Sequence, residues 1–524
     1  AYNATQATYG IESYRQVNGT KQPVAWKVVE YSVDNGNTWS TAKPSWLKGL
    51  SKEQGNGGAT AEQGTATLGT ADIVDLVAER NKGLQNAAPL GTAAAPYNLS
   101  NETGAAAVQN TANSYLISAP GHYMIPLVYG NAIKNGQTNS SAYKTSKFPD
   151  NNVGTTLNPL VDQNGKPITN PWIEMTNNKA NNGIDAAQIT WSDENNLVTL
   201  PGSPIYRDAS GNAYVKFEVK KEYLKSGNAV ISIKKGNTIL WSWHLWFAPK
   251  NALDKITVTN KQGNKYDFTN EALGWKPTAW KGTPYSAPRT VKVKVEQTLG
   301  NNGVKQYAVI TITQKPATTT RTGYTTLYQW GRKDAFPGVD VDKLYGGTIV
   351  KNAGDYMSIK NSIQNPEKFY TGDVSWANNY NQYNLWSMET TVLKDPTNAL
   401  VKTIYDPCPV GFHMPPYNAF TGVTKTGENA INQATVINAL GNWDQGYHFY
   451  TKDASSPSTV YFPAIGSRSF SKGDLIKVGG KGIYWNGIAD GIRTGRCFTI
   501  EENDVRPLME ITRAAGGCVR PVAE

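Results

Sequence analysis

The chain of 524 residues is short of cysteine, histidine and charge. Three cysteines are too few for a disulfide-dense scaffold, although they permit one structural cystine and one leftover thiol. The four histidines, His122, His244, His413 and His448, stand too far apart in sequence to suggest a local metal cluster. Charged residues make up 18% of the chain against a usual ~25%, and apolar residues 39% against ~45–50%. No apolar run approaches the ~20 residues of a membrane-spanning helix. The densest, Ile239 to Phe247 (ILWSWHLWF), is interrupted by Ser242 and His244. G-x-S-x-G, H-E-x-x-H, G-x-x-x-x-G-K-[ST] and C-x-x-C are all absent, which removes the usual signatures of serine hydrolases, zinc proteases, phosphate loops and redox pairs. The glycine-rich piece Val478 to Ile483 carries no Ser or Thr after Lys481 and reads as a turn.

What is present is small, turn-forming and aromatic. The chain holds 49 Gly and 28 Pro, and aromatic residues are 10% of it. That mixture disfavours long helices, suits many short strands joined by turns, and is too rich in large apolar rings for a disordered chain. The net charge of +10 is spread singly or in pairs such as Lys220-Lys221 and Lys234-Lys235. With no basic run, a solvated surface is expected rather than a nucleic-acid footprint. The sequence opens at Ala1 without an initiator Met, a basic stretch or the apolar core of a secretion signal, so the expectation is a processed protein or a fragment.

Alternation at period two recurs. Tyr214 to Lys220 and Val291 to Val295 place apolar side chains on one face and charged ones on the other, as half-buried antiparallel strands do. Ala229 to Ile233, Ile256 to Val258 and Ala308 to Ile312 read similarly, and turns such as Asp34-Asn35-Gly36-Asn37, Asn135-Gly136 and Ser226-Gly227-Asn228 separate such runs. Two stretches carry helical spacing, Ala71 to Arg80 and Glu428 to Leu440. Length and composition shifts suggest a β-rich segment over 1–110 with Trp26, Trp39 and Trp46 as core candidates, a second β-domain over 111–250, a strand pair with linker over 251–320, and a terminal domain over 321–524. The Thr-rich stretch 317–322 marks the last boundary.

Candidate chemistry is thin. His244, in the middle of its tryptophan-rich strand, is expected to be a hydrogen-bonded structural residue. Acidic groups at Asp193-Glu194, at Asp334 with Asp340 and Asp342, and at Glu501-Glu502 with Asp504 offer the oxygen ligands calcium takes, but exposed loops carry the same residues, and no cofactor is expected. A bridge between Cys408 and Cys518 would close a loop of about 110 residues, for which the chain-entropy argument gives roughly 4.7 kcal/mol. The alternatives are three reduced thiols or a bridge involving Cys497. Cys497 as a nucleophile would need an activating base, and none is identifiable, so no enzyme is expected.

Five blocks in order carry a resemblance: Leu327 to Gly338 (LYQWGRKDAFPG), Asn384-Leu385-Trp386, Lys402 to Phe412 (KTIYDPCPVGF), Gly482 to Trp485 (GIYW) and Gly516 to Val522 (GGCVRPV). Together they resemble the Fibrobacter-type paralogous domain, a C-type-lectin-like module of surface proteins of Bacteroidales. Upstream, Asn113 to Ile117, Ala119 to Tyr123, Leu127 to Ala132 and Gly227 to Val230 followed by WSWHLWF resemble the β-domains that precede this module in fimbrial tip subunits of that order. The resemblance implies a mainly β chain, with N-terminal β-sandwich domains followed by a C-terminal α+β C-type-lectin-like domain. The Glu-Pro-Asn and Trp-Asn-Asp calcium signatures of sugar-binding C-type lectins are missing, and Asn442-Trp443-Asp444 has a different order, so the resemblance carries the fold and not calcium-dependent sugar binding.

The function it implies is that of a non-enzymatic pilus tip adhesin on the surface of a Gram-negative bacterium. Such a subunit joins its neighbour by strand addition at an open sheet edge and meets a host or bacterial surface protein or glycan through its terminal domain. Trp443, Tyr447, Tyr484 and Trp485 are the candidate ligand contacts, since aromatic faces stack on sugars and anchor interfaces. With Cys518 tied into a last strand, the tail is expected to have no ribbon left to donate, as befits a subunit that ends a fibre. The competing expectations are an outer-membrane-anchored glycan-binding protein and a pilus stalk subunit.

Overall fold

The computed structural model describes residues 6–70, 73–146, 156–283, 288–316, 321–378, 382–389, 400–456 and 458–524. Strands dominate, and the chain is mainly β. It divides into two compact units, one of Ala1–Glu79 with Ala279–Arg321, the other of Arg80–Thr278 with Thr322–Glu524.

The first unit contains two four-stranded sheets. In one, Gln6–Val17 pairs with Thr20–Pro23 and with Gly58–Leu68, which also takes Leu47–Leu50. In the other the order runs Tyr307–Gln314, Arg289–Gln297, Trp26–Ser32, Gln54–Gly55. The alternating Val291, Val293 and Val295 are buried while Lys292 and Lys294 are only partly so. The three valines join Tyr9, Ile11, Trp26, Leu47 and Leu68 in one apolar cluster drawn from both sheets.

The second unit is larger. Its most buried strand is Thr238–Phe247, the tryptophan-rich run, where every residue after Thr238 is buried. A strand covered on both faces reads as a continuous apolar run rather than an alternating one. It pairs antiparallel with Gly227–Lys235 and parallel with Ser114–Ile117. A second sheet orders Ile205–Arg207, Ala213–Val219, Gly121–Pro126, Tyr97–Asn98. Farther along, Lys481–Asp490, Thr494–Glu501 and Asp504–Thr512 form a meander, and Gly446–Tyr450 lies between Ala439–Leu440 and Thr459–Pro463. Val522–Ala523 inserts between Lys265–Thr269 and Phe412–His413.

This grouping differs from the four consecutive segments read from the sequence. Residues 1–79 share sheets and core with 289–314, and residues 111–250 share one apolar cluster with 321–524. Asn113 Nδ2 donates to the carbonyls of Ile404 at 2.6 Å and Asp406 at 2.8 Å, and Trp191 Nε1 donates to Ala335 O at 3.0 Å. Such pairings join residues hundreds of positions apart, and composition along the chain does not record them. Residues 317–320 of the Thr-rich stretch lie outside the described residues.

The two helical expectations fare differently. A helix covers Leu76–Asn86, shifted from Ala71–Arg80, whose first two residues lie outside the described set. Glu428 to Leu440 is not a helix. It holds one short 3-10 turn, Ala434–Val436, and the strand Ala439–Leu440. Its backbone is engaged elsewhere: Ala430 exchanges hydrogen bonds with Val505, Asn429 clasps the Leu508 backbone through both side-chain atoms, and Asn432 sits at φ +53°. Asparagine side chains that bond the backbone of a distant strand compete directly with helical bonds.

Candidate functional site

The expected cystine is absent. Cys408, Cys497 and Cys518 are three separate buried thiols. Cys408 Sγ packs 3.8 Å from Met414 Sδ, whereas Cys518 Sγ donates to Ile483 O at 2.9 Å. A disulfide requires sulfurs about 2.05 Å apart, and the sulfurs of Cys408 and Cys518 each have a different partner. Burial pushes the Cys497 thiol up to about 12 and the other two higher still. None is a thiolate at neutral pH, and none has the electropositive, accessible setting of a reactive cysteine.

The four aromatic candidates separate into two pairs. Tyr484 and Trp485 are fully buried, contrary to a role in ligand contact. Tyr484 donates its hydroxyl to Pro463 O at 2.6 Å and stacks on Phe498, and Trp485 Nε1 donates to Tyr328 O at 2.7 Å. Their strand is covered on both faces, so alternation could not distinguish an inner from an outer side. Trp443 and Tyr447 meet edge to face with ring centroids 4.9 Å apart. Trp443 remains partly exposed, while Tyr447 is buried and accepts the Asn503 amide on its hydroxyl at 3.1 Å. Of the four, only Trp443 is partly exposed. His244 is enclosed: Nε2 lies 2.8 Å from Asn228 Oδ1, Nδ1 lies 3.1 Å from Ser114 Oγ, and burial lowers its pKa to about 3.

Two surface features stand out among the described residues. The first lies in the first unit, where Tyr307–Gln314 is the edge of its sheet with Arg289–Gln297 as its one neighbour among the described residues. Ile312 and Gln314 of its inward face are buried, but Ala308 is exposed and Ile310 only half covered. Tyr307, on the other face, is 66% exposed, large for a tyrosine in a strand. Beside it, Ile11, Trp26, Val295 and Ala308 line a hollow of about 90 Å³. Gln297 lines it too, and its buried Oε1 accepts no hydrogen bond among the described residues. The edge strand thus has an inner face only partly covered, beside a buried acceptor that has no donor among the described residues.

The second feature is a cleft of about 860 Å³ in the second unit. One wall follows from Ser192, whose backbone accepts Tyr345 N at 2.9 Å and donates to Gly346 O at 2.9 Å, setting Asp193 and Glu194 beside the 340–345 turn. Gly347 at φ +72° allows this approach, because a Cβ there would stand 2.1 Å from Thr190 O. Arg468, buried, fixes the opposite wall by donating to Pro337 O at 2.7 Å, Val339 O at 2.8 Å and Gly473 O at 2.8 Å. At the floor Lys276 Nζ donates to Asp193 O and to Glu194 Oε1, each at 2.9 Å, and lies 3.8 Å from Asp193 Oδ1. Burial raises the Asp193 carboxyl against the pull of Lys276 and of Asn228, which donates to it at 2.6 and 3.0 Å. Tyr324, also raised by burial and by that carboxylate, completes the floor. Asp340, Asp342, Tyr345 and Gln445 line the cleft, the last lying between Trp443 and Tyr447 in sequence.

Two of the acidic groups read from the sequence, Asp193-Glu194 and Asp340 with Asp342, thus converge on one cleft. The others do not. Asp334 is buried in ion pairs with Arg332 at 2.7 Å and Lys333 at 2.6 Å, Glu501 pairs with Lys477 and Lys481, and Asp504 with Arg506. Among the described residues, no three of His, Cys, Asp and Glu come together in a group that could hold a metal ion. Sequence reasoning missed Lys276, Tyr324 and Tyr345, which carry no motif and gain significance only by convergence. No helix among the described residues is long and apolar enough to cross a membrane. No protein-family model, curated protein or solved structure matches the chain.

Proposed function

We propose that the chain is the tip adhesin of an extracellular pilus on a Gram-negative bacterium, non-enzymatic, joined to its neighbouring subunit by strand addition and turned toward a host or bacterial surface protein or glycan. In this reading the first unit is a β-sandwich that receives the neighbour's strand, and the 321–524 region is C-type-lectin-like. The observation that carries it is the Tyr307–Gln314 edge: eight residues of strand without an outer neighbour among the described residues, Ala308 exposed and Ile310 half covered on the core side, and Gln297 Oε1 behind them with no donor among those residues. Strand addition would supply main-chain partners to the edge and cover those side chains at once.

The Val522–Ala523 strand is committed within its own unit. Val522 faces both Phe268 and His413, and buried Arg520 donates to Thr269 O, Asn270 O and Tyr461 O at 2.7 to 2.8 Å. These residues complete a sheet of their own unit, so releasing them to a neighbour would break that sheet. Fibres labelled with an antibody to residues 400–524 and viewed in negative stain test the reading. Label at one end of each fibre is the expected result, and label along the shaft, as a stalk subunit would give, overturns it.

A further inference from the structure

The cleft between the 340–345 turn, the Lys276 floor and the Gln445 loop has no role in strand addition, and its lining has a chemistry of its own. Its volume of about 860 Å³ lies within the ~300–1,000 Å³ of small-ligand sites, and it joins convergent polar groups to ionisable groups moved from their usual range. Tyr345 is 54% exposed and Val478 56%, so two large apolar side chains stand open to solvent at a concave site. Beside them are the carboxylates of Glu194, Asp340 and Asp342, the Thr278 and Thr322 hydroxyls, and the Gln445 amide.

We propose that this cleft is a binding site for a short neutral oligosaccharide. Sugar rings present C–H faces and hydroxyl rims. An exposed tyrosine ring matches the first, and carboxylate, hydroxyl and amide side chains match the second. Acidic glycans fit poorly. Carboxylates outnumber lysines in the lining, and the Lys276 ammonium is already committed to Asp193 and Glu194, leaving Lys343 as the one unengaged cation among the lining residues. A peptide strand fits poorly too, because strand recognition depends on an open row of backbone groups, and what the cleft offers is side-chain oxygen. The Lys276 and Arg468 networks, both buried, hold the walls in place without a ligand, so little ordering is required on binding.

The inference deepens the adhesive reading and rests on it for its purpose. The test uses the full chain on an array of neutral and acidic oligosaccharides, followed by calorimetric titration of the strongest binder. Neutral oligosaccharides are the expected binders. Tyr345→Ala is expected to weaken them roughly tenfold, and Asp340→Asn with Asp342→Asn by a similar factor, with melting temperatures unchanged. An array without binders, binding confined to acidic glycans, or full affinity in both variants would overturn the proposal. The fibre labelling is independent: end label with an empty array removes the cleft's ligand and keeps the tip, whereas shaft label with a neutral-glycan binder does the reverse.

Discussion

His244 illustrates how much a single buried side chain can impose on solution behaviour. Its ring is held neutral by burial, down to about 3 from an ordinary value near 6.5. A histidine whose folded value is depressed contributes stability that is present above 6.5 and is lost as pH falls toward 3, because the unfolded chain takes up the proton first. Between pH 7 and pH 5 that loss is about 2 kcal/mol for this residue. His413, also lowered by burial, acts in the same direction. Urea titrations at the two pH values should therefore find the wild type weaker at pH 5 and His244→Gln with a shallower dependence. The thiols give a second residue-scale prediction. All three should be silent to a maleimide in the native protein, and all three should react after unfolding without reductant. One reactive thiol instead of three would mean that a bridge forms after all. The sequence presented these cysteines by spacing alone, and spacing is blind to whether each sulfur has found a different neighbour.

Elements show where a sequence pattern is informative and where it is not. Val291, Val293 and Val295 were legible because one face of their strand meets a core and the other meets water. The Tyr484 and Trp485 strand was not, since both of its faces are covered, and the same aromatic signal then served core and surface readings equally. The spacing of Glu428 to Leu440 matched a helix, yet Asn429 there serves the neighbouring meander. The free edge was half visible: Ala308 to Ile312 alternates, but exposure of its inner face depends on which strand fails to appear beside it. An inward charge placed there offers a clean test. Ala308→Lys substitutes an exposed residue and should change stability by no more than about 0.5 kcal/mol, while abolishing incorporation into fibres, because a lysine in the seat opposes an added strand. On the cleft wall, Arg468→Ala strands carbonyls of Pro337, Val339 and Gly473 and should cost about 3 kcal/mol in a denaturant titration.

At the scale of the molecule, the grouping of segments decides what can exist alone. The expectation of a terminal domain over 321–524 rested on length and composition shifts, and the five lectin-like blocks fall within that stretch. The core is not confined there. Trp330, Trp386 and Trp485 belong to one cluster with Trp191, Trp241 and Trp246, and the Asn113 side chain satisfies carbonyls at Ile404 and Asp406. Removing 80–278 would expose that apolar face and leave those buried polar groups without partners, a combination of lost burial and unmet hydrogen bonds far larger than the marginal ~5–15 kcal/mol by which domains are stable. Residues 321–524 expressed by themselves should accordingly lack the near-ultraviolet circular dichroism of fixed aromatic side chains and bind a hydrophobic dye, as a collapsed chain without packing does. A chain of 80–524 in which 279–321 is replaced by a short flexible linker should retain the aromatic signal, because both halves of the shared core are then present. If 321–524 alone gave the sharp signal, the cluster joining the two stretches would be a contact between finished domains, and the cleft, whose floor comes from Lys276 and Asp193, would lie at their seam instead of inside one packed body.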